Sequence, residues 1–593
     1  MGFKTRSTIA IIFLFAVLLG IVLGPVVLVR YFTKDSSEAL MTAVLMLMIV
    51  PIPMIMLLIN YAIAPLLIGW LFRVHIIDPE TLATQYPRIA AHLDAFRENT
   101  KGMKKVPKFG IITDGNPNAF TYGWSRNTSR VVVTSGLLEL CTQDEVLAVI
   151  SHELGHVKHN DVVLTVIISI VPMVCYTIAQ VFMRVAASSG GRRSSKNEGG
   201  AIQAALFVIG ILAYILYYVT YFVTLFVSRM REYMADKYSA EESHNPNFLA
   251  SALVKIAYGL VQPPAGTSQE VYYDKKAYKK ASTQQNSRIS SLRTLGIFDR
   301  SAAMALAVSG MGAGGSFSPE AVSRAAAWDL RNPWAKLYEF ASSHPLPAKR
   351  LVALNHSSIK QGIQPTFNLA DVDEYADSKG GKSLGGEFVV DLLITCGPTL
   401  IWLASLGVLL WMFIGPIFGA SGAFLGFNVW QVFTWGIMLA GMGKIGKTMF
   451  KYGGGKDFPM TTVLDLLGEI HVSPVRPVKA SLEGKVIGRG IPGYVLSEDF
   501  VIQDRTGFMR LNYEFGLGIG DLFFALFRTG RLIGQQVKVF GWYRRGPGPV
   551  LQIKQFETAD GHVHKCHAQG FAYFGAILTI LIGFLLWWFV NPF

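Results

Sequence analysis

The residues with the clearest chemical potential are His152, Glu153 and His156, which form the pattern H-E-x-x-H. On a helix, two histidines four residues apart share one face, so both imidazoles can bind the same metal ion. Glu153 is offset from them and can reach a water on that ion without being a ligand. This is the arrangement of zinc-dependent peptide hydrolysis, in which the metal polarises water and carbonyl while a carboxylate moves the proton.

The sequence around this pattern independently predicts a helix. Thr142 and Glu145 have the spacing of a capping box, which marks a helix N-terminus. Val146, Val149 and Ile150 then form an apolar stripe at helical spacing. The alternative is a helix whose two histidines are merely solvated or hydrogen-bonded, and such a helix would not require a third metal ligand elsewhere.

A third ligand would separate these two interpretations. His159 follows His156 by only three residues, so it does not meet the H-E-x-x-H-x-x-G-x-x-H spacing. Glu232 is a better candidate, with Asp236 one helical turn later, where its carboxylate could hold a ligand histidine in place. In isolation this E-x-x-A-D pattern usually marks a solvated helix face. After an H-E-x-x-H segment it indicates a metal site.

The segment 152–156, with Asp161 and the later segment 228–236 (S-R-M-R-E-Y-M-A-D), resembles the HtpX-type membrane zinc endopeptidases, which are relatives of the type I CAAX prenyl protease. The resemblance covers residues 1–355 and leaves the C-terminal part unexplained. It implies a multi-span α-helical membrane protein with a gluzincin-type α+β protease domain and one Zn²⁺ per chain. The implied roles are metal ligation by His152, His156 and Glu232, proton transfer by Glu153, and support of a ligand by Asp236.

Two further elements carry roles only through this resemblance. Asn118, Ala119 and Phe120 are similar to an edge strand that pairs with the substrate backbone, although they could simply be one more strand of a small sheet. His344 and Arg350 are similar to a late H-P…R element whose side chains lie near the scissile carbonyl. Their alternative interpretations are a residue at a helix start and a surface ion pair.

The composition predicts a membrane protein. Of 593 residues, 51% are hydrophobic and 16% are charged, whereas soluble proteins carry about a quarter charged residues. The net charge of +14 is better explained by cytoplasmic loops facing anionic lipid than by nucleic acid, so no nucleic-acid partner is expected. The four cysteines are far apart and form no C-x-x-C pair, so no disulfide framework is predicted.

Apolar runs long enough to cross a bilayer predict seven spans. They are Thr8–Val29, Leu40–Phe72, Val162–Ala186, Ala201–Val227, Phe388–Phe413, Phe427–Met442 and Phe571–Val590. The predicted domains are two spans at 1–73, a protease domain at 74–386 interrupted by a membrane hairpin at 162–227, two spans at 387–446, a β-module at 456–567 and a last span at 569–590. Within the protease domain, a turn is predicted at 114–117 and a basic loop or lid at 272–291.

Five short β-like runs between residues 480 and 556 predict a small barrel of OB type. A structural or partner-binding module is favoured over a nucleic-acid site, because few aromatic residues are available for base stacking. All proposed catalytic residues precede the barrel, so a chain ending near Gly386 is expected to remain active. His562, His564, Cys566 and His567 are interpreted as an interfacial polar stretch rather than as a metal site.

The distribution of Lys and Arg predicts that the N-terminus, the catalytic segments and the barrel face the cytoplasm. The predicted function is a zinc-dependent endopeptidase at the cytoplasmic face of the cell membrane, acting on damaged or misassembled membrane proteins in quality control. One alternative is a CAAX-type prenyl protease, which needs a chamber for a lipidated tail. Another is a membrane scaffold whose barrel recruits partners.

Overall fold

The structure is a computed structural model of the chain. It describes residues 3–33, 36–72, 74–112, 118–188, 198–258, 319–367, 369, 371–414, 423–424, 427–453, 457–490, 498–516, 518–546 and 548–590. The turn predicted at 114–117 and the basic loop predicted at 272–291 lie outside these ranges.

Helices make up most of the described chain. In order they are α1 Phe3–Thr33, α2 Ser36–Ile49, α3 Pro51–Leu71, α4 Pro79–Gln85, α5 Pro87–Asn99, α6 Ser135–Leu140, α7 Gln143–His159, α8 Asp161–Ser188, α9 Glu198–Glu242, α10 Pro246–Tyr258, α11 Pro319–Arg331, α12 Pro333–Phe340, α13 Pro347–Lys360, α14 Asp371–Ser378, α15 Leu384–Ile414, α16 Val429–Lys451, α17 Val463–Leu467, α18 Gly518–Phe527, α19 Thr529–Leu532 and α20 Ala568–Val590.

The strands form two sheets and one short hairpin. In order they are β1 His75–Ile76, β2 Lys108–Ile112, β3 Ala119–Tyr122, β4 Arg130–Thr134, β5 Ala423–Phe424, β6 Phe427–Asn428, β7 Val478–Arg489, β8 Phe500–Gln503, β9 Phe508–Asn512, β10 Gln536–Arg545, β11 Pro549–Thr558 and β12 Val563–Lys565.

Six of the described helices are long and apolar enough to cross a membrane, which confirms a multi-span membrane protein. The seventh span predicted at 427–442 falls in α16, which packs against both α15 and α20 but is not among the six. Its last two turns contain Lys444, Lys447 and Lys451, which interrupt its apolar sequence. The six segments are Lys4–Val27, Met46–Trp70, Asp161–Ala187, Leu206–Glu242, Gly381–Leu409 and Ala568–Val590.

These helices form two groups. In the first, α1, α2, α8 and α9 share a core that includes Leu14, Val171 and Ile178, and α3 packs against α2 and α8. In the second, α16 lies between α15 and α20. The close approach in the second group depends on small residues, since a Cβ on Gly441 would come within 2.5 Å of Ile580 Cγ1.

The predicted protease domain, called the protease part below, contains a four-stranded sheet in the order β1-β2-β4-β3, which places β3 at an edge. Helix α7 packs beside this edge. The predicted capping box starts α7: the Glu145 N–H donates to Thr142 Oγ1 over 3.3 Å, and the Thr142 N–H donates to Glu145 Oε2 over 2.8 Å. Asn160, in the left-handed conformation with φ 58°, ends α7, and α8 begins at the next residue.

The C-terminal strands form a closed five-stranded barrel, as predicted. The strand order is β10-β7-β8-β9-β11, and pairing of β10 with β11 closes the ring. Strands β9 and β11 run parallel, while the other neighbouring pairs are antiparallel. Strand β12 extends this sheet beside β11, and α18 lies between β9 and β10 in sequence. The assignment of this barrel to the OB type stays a prediction.

The barrel shares its apolar core with the protease part, because one contiguous cluster of buried residues extends from Leu82 to Phe556. Polar contacts at the junction are also buried. Arg545, on β10, donates to the carbonyl oxygens of Leu467 and Ala325 over 2.8 and 2.9 Å and lies 3.1 Å from Asp329 Oδ1. Two further side chains of the protease part, Trp328 and Asn332, donate to the backbone carbonyls of Val472 and Ile470.

Candidate metal centre

Two helices that cross closely hold the three proposed metal ligands. Helix α7 carries His152 and His156, and α9 carries Glu232 just beyond its apolar part. The crossing point is Gly155, where an added Cβ would lie 3.0 Å from the Cα of Ala235. A glycine is therefore needed here so that the histidine helix can approach the glutamate helix.

The ligand atoms of these residues converge. Among the described residues, only His152, His156 and Glu232 form a group that could hold a metal ion, with all three ligand atoms within 4.8 Å of one another. The two Nε2 atoms are 3.3 Å apart, and they lie 3.7 and 3.6 Å from the Glu232 oxygens. An ion bound tetrahedrally at about 2.1 Å separates its ligand atoms by about 3.4 Å, so the donor set fits zinc.

A carboxylate holds the second ring nitrogen of each histidine. Asp236 Oδ1 lies 3.0 Å from His152 Nδ1, and Asp161 Oδ2 lies 2.7 Å from His156 Nδ1. A carboxylate on Nδ1 orients the ring, keeps Nε2 free for a metal and makes that nitrogen more basic. Both histidines are therefore presented to the same point through Nε2.

The electrostatic surroundings favour positive charge at this point. Burial lowers the pKa of His152, but hydrogen bonds with Asp236 and Glu232 outweigh burial and raise the pKa to about 9. For His156 burial is the largest influence, and it lowers the pKa although Glu232 opposes it. Carboxylates that stabilise a proton on His152 also compensate a bound cation, which adds to the geometric fit.

Arg350 and His344 lie against the carboxylates of this site. The Arg350 guanidinium donates two hydrogen bonds to Asp236, from Nε over 2.9 Å and from Nη2 over 2.5 Å. Its Nη1 lies 3.5 Å from Glu232 Oε2, and these two carboxylates raise the pKa of Arg350 against the effect of burial. His344 Nδ1 lies 3.1 Å from Glu232 Oε1. Both residues therefore reach the site, and Arg350 does so as a partner of Asp236.

Glu153 and the edge strand β3 complete the surroundings. Glu153 follows His152 on α7 and is 9% exposed, and its carbonyl oxygen accepts from Thr121 on β3 over 3.4 Å. Ala119 and Phe120 pair with β4 on one side only, so the other edge of β3 is unpaired within the described sheet. Asn118 precedes the strand and is fixed by Thr134, whose N–H donates to its carbonyl oxygen over 2.9 Å.

The other candidate ligands lie outside the group. His159 is not part of it, and burial lowers the pKa of its imidazole to about 4. The C-terminal His/Cys stretch does not form a metal-binding group among the described residues. There His564 stacks on Phe556 and lies 3.1 Å from Arg528.

Sequence reasoning missed two arginines that support the site. Arg229 donates to the carbonyl oxygens of Glu339 and Ser342, over 2.8 and 2.5 Å, and so fixes the backbone that leads to His344. Arg231 forms an ion pair with Asp161, the carboxylate behind His156. Both flank Glu232 in the segment that carries the family resemblance, and only this proximity could have drawn attention to them.

Comparison with known proteins identifies a matching family and several relatives. The sequence profile of Peptidase family M48 matches residues 85–358. A protease HtpX homologue of Methanothermobacter thermautotrophicus is 33% identical over 203 residues, which cover 34% of this chain and 69% of that protein. A protease HtpX homologue of Syntrophobacter fumaroxidans is 35% identical over 185 residues, which cover 31% of this chain and 63% of that protein. The crystal structure of S. mikatae Ste24p aligns with 59% of this chain and 67% of its own, at 19% identity and a TM-score of 0.28.

Proposed function

Because the chain belongs to peptidase family M48, we propose that it is a zinc-dependent endopeptidase that cuts peptide bonds at the cytoplasmic face of the membrane. The observation that carries the proposal is the convergence of His152, His156 and Glu232 beside Glu153. When bound, zinc would lower the pKa of a water molecule and polarise the substrate carbonyl.

The protein's own residues would supply orientation and proton transfer. Glu153 would take the proton of the attacking water and return it to the leaving amine. His344, 3.1 Å from Glu232, would donate a hydrogen bond to the oxyanion that develops on the substrate carbonyl. Arg350 is committed to Asp236 by two hydrogen bonds, so we assign it a positioning role behind His152.

The unpaired edge of β3 would bind the substrate in an extended conformation, through the backbone groups that point away from β4, such as those of Ala119. The site would then select an unfolded segment by its backbone rather than by one side chain. This strand lies beside the membrane helix α3, since Trp124 Nε1, two residues after β3, donates to the Ala62 carbonyl over 3.0 Å. Such a position suits misassembled membrane proteins as substrates, with quality control as the role.

The test is cleavage of casein and of an unfolded membrane protein by the full chain, with metal content measured in parallel. A chelator should abolish cleavage, and zinc should restore it. Glu153→Gln should retain its zinc and lose a factor of about 10²–10⁴ in turnover, as expected for loss of a general base. The matched control is Glu241→Gln, because Glu241 is 60% exposed and pairs only with Lys237 among described residues. A Glu153→Gln protein that cleaves at the wild-type rate would refute the mechanism.

A further inference from the structure

A second candidate binding site, separate from the metal centre, lies where the barrel meets the last membrane helix. A cavity of about 260 Å³ opens between strand β11 and the first turn of α20. No residue of the proposed catalytic apparatus lines it. The lining residues are Trp542, Ile553, Lys554, Gln555, Lys565, Cys566, His567, Ala568, Gln569 and Gly570.

The cavity is lined by cations and contains no carboxylate. Lys554 and Lys565 both border it, and neither forms an ion pair with a described acidic residue. Lys554 Nζ instead lies 4.7 Å from the centre of the Phe458 ring and 6.0 Å from that of Trp542. An anion bound here would gain from both lysines.

Several hydrogen-bond donors at the cavity lack an acceptor, which also indicates that the ligand is an anion. Trp542 is 3% exposed, and its indole N–H is buried without a hydrogen-bond acceptor in the described part of the chain. Such an orphaned donor is costly and uncommon in a folded protein. The N–H groups of residues 568–570, in the first turn of the 23-residue helix α20, have no partner within the helix. All these groups donate hydrogen bonds, so the cavity is suited to an oxyanion.

The position of the cavity along α20 identifies the source of that oxyanion. The first large apolar side chain exposed on this helix is Phe574, which is 63% exposed. The exposed side chains of Ile577 and Leu578 follow it. Phe574 is one turn beyond Gly570, so the cavity lies about 6 Å from the start of the lipid-facing surface. Lysines at this depth face lipid headgroups. We propose that this cavity binds the phosphate of an anionic phospholipid and so fixes the barrel to the membrane surface.

The experiment uses the full chain in lipid nanodiscs that contain phosphatidylcholine with or without phosphatidylglycerol. The phosphatidylglycerol molecules that remain on the protein after extraction are counted by native mass spectrometry, and their affinity is obtained by titration. The wild-type protein should retain one phosphatidylglycerol molecule at this site. Lys554→Gln with Lys565→Gln should weaken its binding about thirtyfold, from the typical contribution of two lysines near a membrane surface.

Two controls keep the proposal testable. Lys101→Gln with Lys104→Gln removes the same charge from exposed positions far from the cavity in sequence, and should leave binding unchanged. Lys554→Arg with Lys565→Arg keeps the charge and should retain the lipid. Equal retention by the wild type and the Gln pair would overturn the proposal, as would loss in the Arg pair. Inorganic phosphate that displaces phosphatidylglycerol at similar concentration would show that the ligand is a soluble phosphate instead.

Discussion

At the level of single residues, the most informative contacts are those on the far side of each histidine ring. Asp236 holds His152 and is itself held by Arg350, and Asp161 holds His156 and pairs with Arg231. In both halves of the site, an arginine contacts a carboxylate, and that carboxylate contacts a ligand histidine. Because each carboxylate is compensated by an arginine, it can stay ionised although it is buried.

We therefore expect Asp161→Asn and Asp236→Asn each to weaken metal binding about 10–100-fold, since an amide no longer holds the ring as an anion does. Zinc affinity, measured by competition with a chromogenic chelator, is the test. Asp94→Asn is the matched control, because Asp94 lies exposed on α5. Unchanged affinity in both site variants would mean that the carboxylates only stabilise the fold.

The identity of the third ligand is tested by a pair of substitutions. Glu232→Ala removes a carboxylate whose oxygens lie 3.6 and 3.7 Å from the two histidine Nε2 atoms, and it should strip most of the zinc. His159→Ala should leave the zinc content unchanged, because His159 lies outside the group. Metal analysis of both purified variants decides the point. Zinc lost from His159→Ala and kept by Glu232→Ala would mean that the ligand set is wrong.

At the level of helices and strands, the crossing of α7 and α9 controls the site. We expect Gly155→Ala to weaken zinc binding about tenfold, because the added methyl group would press on Ala235 and displace Glu232. Ordinarily the same substitution stabilises a helix by about 0.5–1 kcal/mol. Gly446→Ala on α16 is the control, since a Cβ there meets nothing within 4 Å. Equal zinc affinities for the two variants would contradict this account of the crossing.

The elements that sequence reasoning predicted are those with local signals. Thr142 and Glu145 marked the start of α7, apolar runs located α8 and α9, and the five barrel strands appear where short β-like runs predicted them. The contacts that fix the site join residues distant in the chain, such as Arg229 with Ser342. No local pattern in one sequence records such pairs. For the same reason the partner of Arg350 was not foreseen.

At the level of the whole molecule, the barrel is attached to the protease part by a buried polar junction. Arg545 is 2% exposed and lies against Asp329, which is 5% exposed. Removing one partner of a buried ion pair leaves the other charge uncompensated, at a cost of about 3–5 kcal/mol. Sequence reasoning expected a chain ending near Gly386 to remain active. The shared core leads to the opposite expectation, because truncation would expose Trp328 and the apolar surface around it.

We therefore expect Arg545→Met to lower the thermal unfolding temperature of the full protein and reduce its protease activity on heating. Adding Asp329→Leu should recover part of the loss, since no unpaired charge then remains. Arg528→Met is the control, because Arg528 is exposed and forms no ion pair with a described acidic residue. If Arg545→Met unfolded at the same temperature as Arg528→Met, the junction would contribute little to the stability of the protein.

The path of the chain between the two ligand-bearing helices has a consequence during synthesis. The ribosome releases His152 and His156 first, and the membrane hairpin of α8 and α9 must follow before Glu232 appears. The metal centre is therefore complete only after the hairpin has folded and has brought Glu232 beside the histidines, so assembly of the site depends on folding of the membrane segment.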